Sequence, residues 1–220
     1  MPVQLLLGLV GFCPFVRSYP LGPELMERLV ASPWPADEVL VRELSFGPIA
    51  IAQQFQAERL PLVRAVLVAA TDRGLPDRTV SCRRWLGGAL DAQAVQQRMF
   101  EAVTGVVSLD NLLVIGAHFG IWPPELLTVE VQLADANVGA FVMSELDAGH
   151  LDRTAVVGEQ PLSAELVPMV KRIAELARSA VLDGAEALPE LQPLYATDLA
   201  PPPPFCHTRD AGPGLAKTRH

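Results

Sequence analysis

Three short apolar runs constrain this chain most: VQLLLGLV from Val3 to Val10, VRAVLVAA from Val63 to Ala70, and LLTVEVQL from Leu126 to Leu133. Each is eight residues long, too short to cross a bilayer, and the first two do not alternate between apolar and polar positions. Runs of that kind read as strands covered on both faces, which is the situation of strands in a parallel or mixed sheet.

The segments between them have helical spacing. Leu21, Leu25, Met26 and Leu29 recur at intervals of three and four, and Ser32-Pro33 closes that helix. Glu38 to Leu44 reads as a second strand, and Gly47-Pro48 opens a helix, with proline suited to the first helical position. TDRGLPDR is a turn-rich loop, with Asp72 read as a turn residue, and Thr79 to Trp85 follows as a more exposed strand. Asp91 to Val103 is helical in pattern, Ser108 caps SLDNLLVIGAHFG until Gly120 stops it, and Ser163 caps a last amphipathic helix to Val181. Alternating elements of this kind predict a three-layer α/β/α domain over residues 1–187, on an approximately five-stranded, mixed and mostly parallel sheet. Residues 134–161 read as a surface excursion with a possible hairpin at 140–143. From Leu188, PELQPL and PPPP predict a disordered, proline-rich tail over 188–220.

Composition narrows the partners. Half of the 220 residues are apolar and only 19% are charged, enough for one packed core without staples. A net charge of −8 with no Lys/Arg cluster argues against a nucleic-acid surface, whose affinity rests on neutralising phosphates. A protein or small-molecule partner is expected instead. Cys13, Cys82 and Cys206 are odd in number and widely spaced, which fits a reducing cytoplasm rather than a disulfide framework or a zinc knuckle. MPVQLLLGLVGF has neither a basic start nor a small-residue cleavage site and is too short to span a bilayer, so it reads as a buried first strand, with a degenerate signal peptide as the alternative.

In an open α/β sheet, ligands gather outside the carboxyl ends of the strands. The candidates there are Arg17, Ser18 and Tyr19 after the first strand, Glu43 and Ser45 after the second, and Thr71 and Asp72 after the third. His118 lies on an otherwise apolar helix just before its glycine stop. Taken singly, Glu43 reads as a solvated strand-end charge and His118 as a half-buried histidine; together they offer one oxygen and one nitrogen to a divalent metal, an incomplete site. There is no GxGxxG, no GxSxG elbow around Ser18 or Ser108, and the apolar neighbours of Cys13 disfavour a thiolate nucleophile.

In order and spacing these pieces resemble the [NiFe]-hydrogenase maturation endopeptidases over roughly residues 3–181. LLLGLVGFCPFVRSYPLGPELMERL is similar to the opening strand, loop and helix of that family, whose loop reads GxGNxLxxDDGxGP. VLVRELSFGPIAIAQQF is similar to its strand ending in an acid before a turn, AVLVAATDRGLPDRTV to a strand ending near VDA and the strand after it, and VVSLDNLLVIGAHFGIWPPELLTVEVQL to its histidine-bearing helix and last core strand. The resemblance implies an endopeptidase that recognises nickel already inserted in a hydrogenase large-subunit precursor and removes a C-terminal peptide, with no tightly bound cofactor of its own. It implies that Glu43 and His118 contact that nickel. The first-loop acid of the family falls at Ser18 or Tyr19 and is lost, and the VDA acid is Ala69. A tyrosine hydroxyl, with an ordinary pKa near ~10, is a poor metal ligand at neutral pH. Two expectations follow: a maturation protease with Glu43 and His118 on the nickel, or a non-catalytic relative that binds or helps assemble a hydrogenase subunit.

Overall fold

The computed structural model describes residues 4–13, 19–35, 38–104, 107–133 and 166–199. Their elements are β1 (Gln4–Val10), α1 (Pro23–Ala31), β2 (Val39–Glu43), α2 (Pro48–Glu58), β3 (Leu62–Thr71), β4 (Val80–Gly87), α3 (Ala92–Val103), α4 (Leu109–His118), β5 (Glu125–Gln132), α5 (Leu166–Asp183) and β6 (Gln192–Tyr195). Short 3-10 turns at Gly184–Ala187 and Ala196–Leu199 flank β6.

The strands form one mixed sheet in the order β2-β1-β3-β5-β4-β6. β2, β1, β3 and β5 are mutually parallel, β4 runs antiparallel to β5, and β6 is parallel to β4. The apolar runs are therefore central strands, as their composition requires. Leu5, Leu7 and Leu9 of β1 pack on one face with Leu25 and Leu29 of α1 and Val170, Ile173 and Ala177 of α5. Leu6 and Val10 pack on the other face with Ile51 and Phe55 of α2 and Leu112 and Leu113 of α4. Gly8 is needed within β1, because a Cβ there would come 2.5 Å from Leu44 Cδ1 and 3.0 Å from Leu67 Cδ2. The result is the expected three-layer α/β/α architecture.

Local chemistry sets the helix ends. Pro23 and Pro48 occupy the first turns of α1 and α2, where a missing N–H costs no hydrogen bond. Asp91 accepts from Ala94 N at 2.7 Å to start α3, and Ser108 Oγ accepts from Asn111 N at 3.2 Å to start α4. Gly120, at φ 64°, turns the chain after α4.

Two expectations about extent need correction. The sheet has six strands rather than five, and residues 188–199 are not a disordered tail. β6 pairs with β4, with Trp85 opposite Leu194, and Leu188, Leu194, Ala196 and Leu199 are buried. The physical reason is that β4 would otherwise present an unpaired edge, which this short strand covers while its own Pro193 is tolerated at the margin of the sheet. The excursion at 134–161, the hairpin at 140–143, the cap at Ser163 and the tail beyond residue 199 lie outside the described residues. No helix among the described residues is long and apolar enough to cross a membrane.

Candidate functional site

The carboxyl ends of β1, β2, β3 and β5 define one edge of the sheet, and their amino ends define the opposite edge. At the carboxyl edge, Gly11 turns the chain at φ 76°, Phe12 N donates to Ser45 Oγ at 2.7 Å, and Cys13 N donates to Leu21 O at 3.2 Å. These bonds tie the loops after β1 and β2 together. Tyr19 is only 1% exposed in this seal. Burial, and secondarily Cys13 nearby, pushes its phenol well above the ordinary range, so it is a neutral hydroxyl at physiological pH. Ser18 lies outside the described residues.

Glu43 ends β2, as expected, and sits opposite Leu9 in register with an exposed side chain at this same edge. His118 does not join it. α4 begins beside the carboxyl edge, where Asp110 meets Arg73, and runs away from it. Its far end is tied to the opposite edge: Phe119 O accepts from Gln56 Nε2 near the end of α2, and β5 starts at Glu125 beside Arg64, near the start of β3. α4 alone spans about 14 Å. Two ligand atoms on one divalent ion lie within about 4.5 Å of each other. Glu43 and His118 therefore cannot share an ion within one chain, and no group of three or more His, Cys, Asp or Glu side chains among the described residues could hold one.

At the amino edge, the exposed His118 borders a depression of about 250 Å³ between α3, α4 and the end of β4, lined by Trp85, Leu90, Val95, Val114 and Ala196. A second depression of about 220 Å³ adjoins it across Trp85 and Ala117 and is walled by Trp122 and Pro124. Apart from His118, the residues that line the two depressions are apolar or aromatic in type.

Sequence reasoning named Thr71 and Asp72 at the carboxyl edge but missed Arg73, Asp110, Glu130 and Gln132, which form its main polar cluster with them. Glu130 of β5 is completely buried, yet both of its oxygens are engaged. Oε1 accepts from Thr128 Oγ1 at 2.7 Å, and Oε2 accepts from Thr71 Oγ1 at 3.0 Å and Arg73 Nε at 2.8 Å. Arg73 also donates through Nη1 and Nη2 to Asp110 at 3.1 and 2.7 Å. These bonds outweigh the cost of burying the guanidinium and hold Arg73 firmly protonated. Gln132 completes the corner: its Oε1 accepts from Arg73 N at 2.7 Å and Leu75 N at 3.3 Å, and its Nε2 donates to Asp72 Oδ1 at 2.8 Å. Asp72 also accepts from Gly74 N at 3.1 Å, which makes it the turn residue its sequence context suggests. Hydrogen bonds from Gln132 and the Gly74 N–H lower its carboxyl below the ordinary range. With both oxygens taken and no exposure, Glu130 is a clamp between strands and α4, not an available base or ligand. One signal was present in sequence, a lone acid inside the apolar run LLTVEVQL followed by no obvious partner.

No family model matches the chain, and no curated protein matches it. Among solved structures it is similar to the hydrogenase maturating endopeptidase HybD of Escherichia coli, at 14% identity over 83% of this chain and 94% of that one, with a TM-score of 0.46. It is also similar to a hydrogenase 3 maturation protease, at 16% identity over 83% and 94% with a TM-score of 0.44. A third likeness is to a hydrogenase 2 maturation peptidase from a Thaumarchaeota archaeon, at 14% identity over 81% and 99% with a TM-score of 0.43.

Proposed function

We propose that this chain is a divergent, hydrogenase maturation protease-like protein that acts as a binding or assembly module for a hydrogenase large-subunit precursor, rather than as the protease that trims it. The ordered motifs of the sequence support the family reading. One geometric observation carries the choice against catalysis: Glu43 and His118 stand at opposite edges of the sheet. The buried, neutral Tyr19 supports it further, because neither its charge state nor its accessibility suits a ligand for nickel held in a substrate. What remains at the carboxyl edge is a firm surface, with Glu43 and Phe46 exposed beside a loop pinned by Ser45.

The test is to incubate a nickel-loaded large-subunit precursor from the same genome with this protein, measure the precursor's intact mass, and follow co-elution by size exclusion. The expected outcome is an unchanged mass and a co-eluting complex. Nickel-dependent loss of a single C-terminal peptide would establish the protease reading instead, and absence of both cleavage and co-elution would remove the hydrogenase subunit as partner.

A further inference from the structure

We propose that the two depressions at the amino edge form one groove that takes the chain's own proline run, residues 201–204 (PPPP), which lies beyond the described residues. The inference is independent of the hydrogenase reading, since the groove stands at the edge opposite Glu43. The depressions, of about 250 and 220 Å³, share Trp85 and Ala117, so they lie side by side across one aromatic ridge. Trp122 walls the outer one, and its indole is held in place by the bond from Nε1 to Leu113 O at 3.1 Å. Proline-rich segments dock in aromatic-lined grooves of this kind.

The chemistry of the lining fits such an occupant. Proline has no backbone N–H, so a run of four brings carbonyl acceptors and no donor that needs satisfying. Apart from His118, the groove offers apolar and aromatic side chains, and the exposed imidazole can donate an N–H to a proline carbonyl. An ordinary strand, with a donor at each residue, would leave those donors unpaired against the same walls.

The position of the run fits as well. Ala196 lines the groove and packs on its floor, where a Cβ at Gly88 would come 3.7 Å from Ala196 Cβ. The 3-10 turn Ala196–Leu199 carries the chain only about 6 Å further. Leu199 O is then fixed on α3, accepting from Arg98 Nε at 3.0 Å and from its Nη2, one turn along from Val95 of the groove. The prolines begin two residues later and span about 12 Å as a polyproline II segment, enough to reach back along the groove. A tether this short gives an effective concentration on the order of mM, so modest affinity suffices to keep the groove filled.

The test titrates the peptide acetyl-APPPPF-amide into the full chain and into a variant combining Pro201→Ser, Pro202→Ser, Pro203→Ser and Pro204→Ser, following tryptophan emission. The serine variant should bind the peptide at least about tenfold more tightly than wild type, whose own run competes. Adding Ala117→Arg, which places a long side chain at the exposed position shared by both depressions, should abolish that binding, and adding His118→Ala should weaken it about fivefold. In wild type, proline ring protons should show nuclear Overhauser contacts to the indole of Trp85 or Trp122. Equal affinity of wild type and the serine variant, no binding by either, or binding that survives Ala117→Arg would overturn the proposal. A dimer in wild type that becomes a monomer in the serine variant would overturn it too, by assigning the run to the groove of a second copy.

Discussion

Arg73 Nε lies 2.8 Å from Glu130 Oε2, and the same guanidinium holds Asp110 through two further bonds, so one side chain joins the end of β3, the middle of β5 and the first turn of α4. Arg73→Met leaves the fully buried Glu130 without its hydrogen-bonded cation, with only Arg83 Nε at 3.8 Å, and should cost about 3–5 kcal/mol in urea unfolding. The double variant Arg73→Met, Glu130→Met should recover a large part of that loss, because it removes both buried charges together. An unchanged midpoint in the single variant would contradict the clamp.

Tyr19 is, with Ser18, one of the two positions where the family resemblance places an acid, and its side chain is 1% exposed. Tyr19→Glu should therefore destabilise by about 2–5 kcal/mol at pH 7, and the loss should shrink on acidification as the introduced carboxyl becomes neutral. Retention of wild-type stability across pH 4–8, an approximate window bracketing the carboxyl pKa, would mean that the loop opens to solvent readily.

Gly116 faces Trp122 so closely that a Cβ would come 2.3 Å from its Nε1, which donates to Leu113 O at 3.1 Å. Gly116→Ala should displace the indole, cost about 1–3 kcal/mol and shift tryptophan emission. Emission and midpoint both identical to wild type would refute this packing at the end of α4.

Leu194 anchors β6 opposite Trp85 and is 2% exposed. Leu194→Ala should lower stability by about 2–5 kcal/mol. A loss below about 0.5 kcal/mol, the range of ordinary surface substitutions, would return this segment to the status of a tail.

Glu125 links the starts of β3 and β5 to the end of α5: Arg64 Nε donates to it at 2.6 Å and Ala185 N at 3.0 Å. Burial works against its charge, but the Arg64 bond, the Ala185 N–H and the charges of Arg64 and Arg84 outweigh it and hold its carboxyl below the ordinary 4.5. A carboxyl depressed in the folded state contributes stability that is present above its unfolded pKa and is lost as pH falls through the folded value. Chemical denaturation should therefore show Glu125→Gln to be less stable than wild type at pH 7, with the difference narrowing progressively below pH 4.5. A difference that stays constant down to pH 2, about the lower end of this approximate titration range, would show that Glu125 acts through shape alone.

The two residues singled out for chemistry show where sequence reading succeeds and where it stops. Glu43 was legible as the end of a strand, because apolar residues give way to an acid there and β2 ends at that residue. His118 was legible as the end of a helix, because a glycine stop follows it, and α4 ends there. Pairing the two was the error. A helix that leads into a parallel strand starts at the carboxyl edge and finishes at the amino edge, so only its first turn faces the ligand crevice. That crevice-facing turn holds Asp110, already bound to Arg73. The chain order β3, β4, α3, α4, β5 contained the correction, but only once the directions of the strands were known.

Local sequence determined most elements of this protein, since the apolar runs of β1 and β3 are short and bounded by turn residues, proline, serine and aspartate mark helix starts, and glycine marks the turn after α4. These are properties of neighbouring residues and survive without knowledge of the rest of the chain. Tertiary structure alone decided which side chains meet. Arg73 and Glu130 are separated by 57 positions, Arg64 and Glu125 by 61, and β6 finds β4 across more than a hundred residues. Such contacts follow from strand order and direction, which depend on how all the apolar faces are buried at once, and no local pattern encodes that outcome.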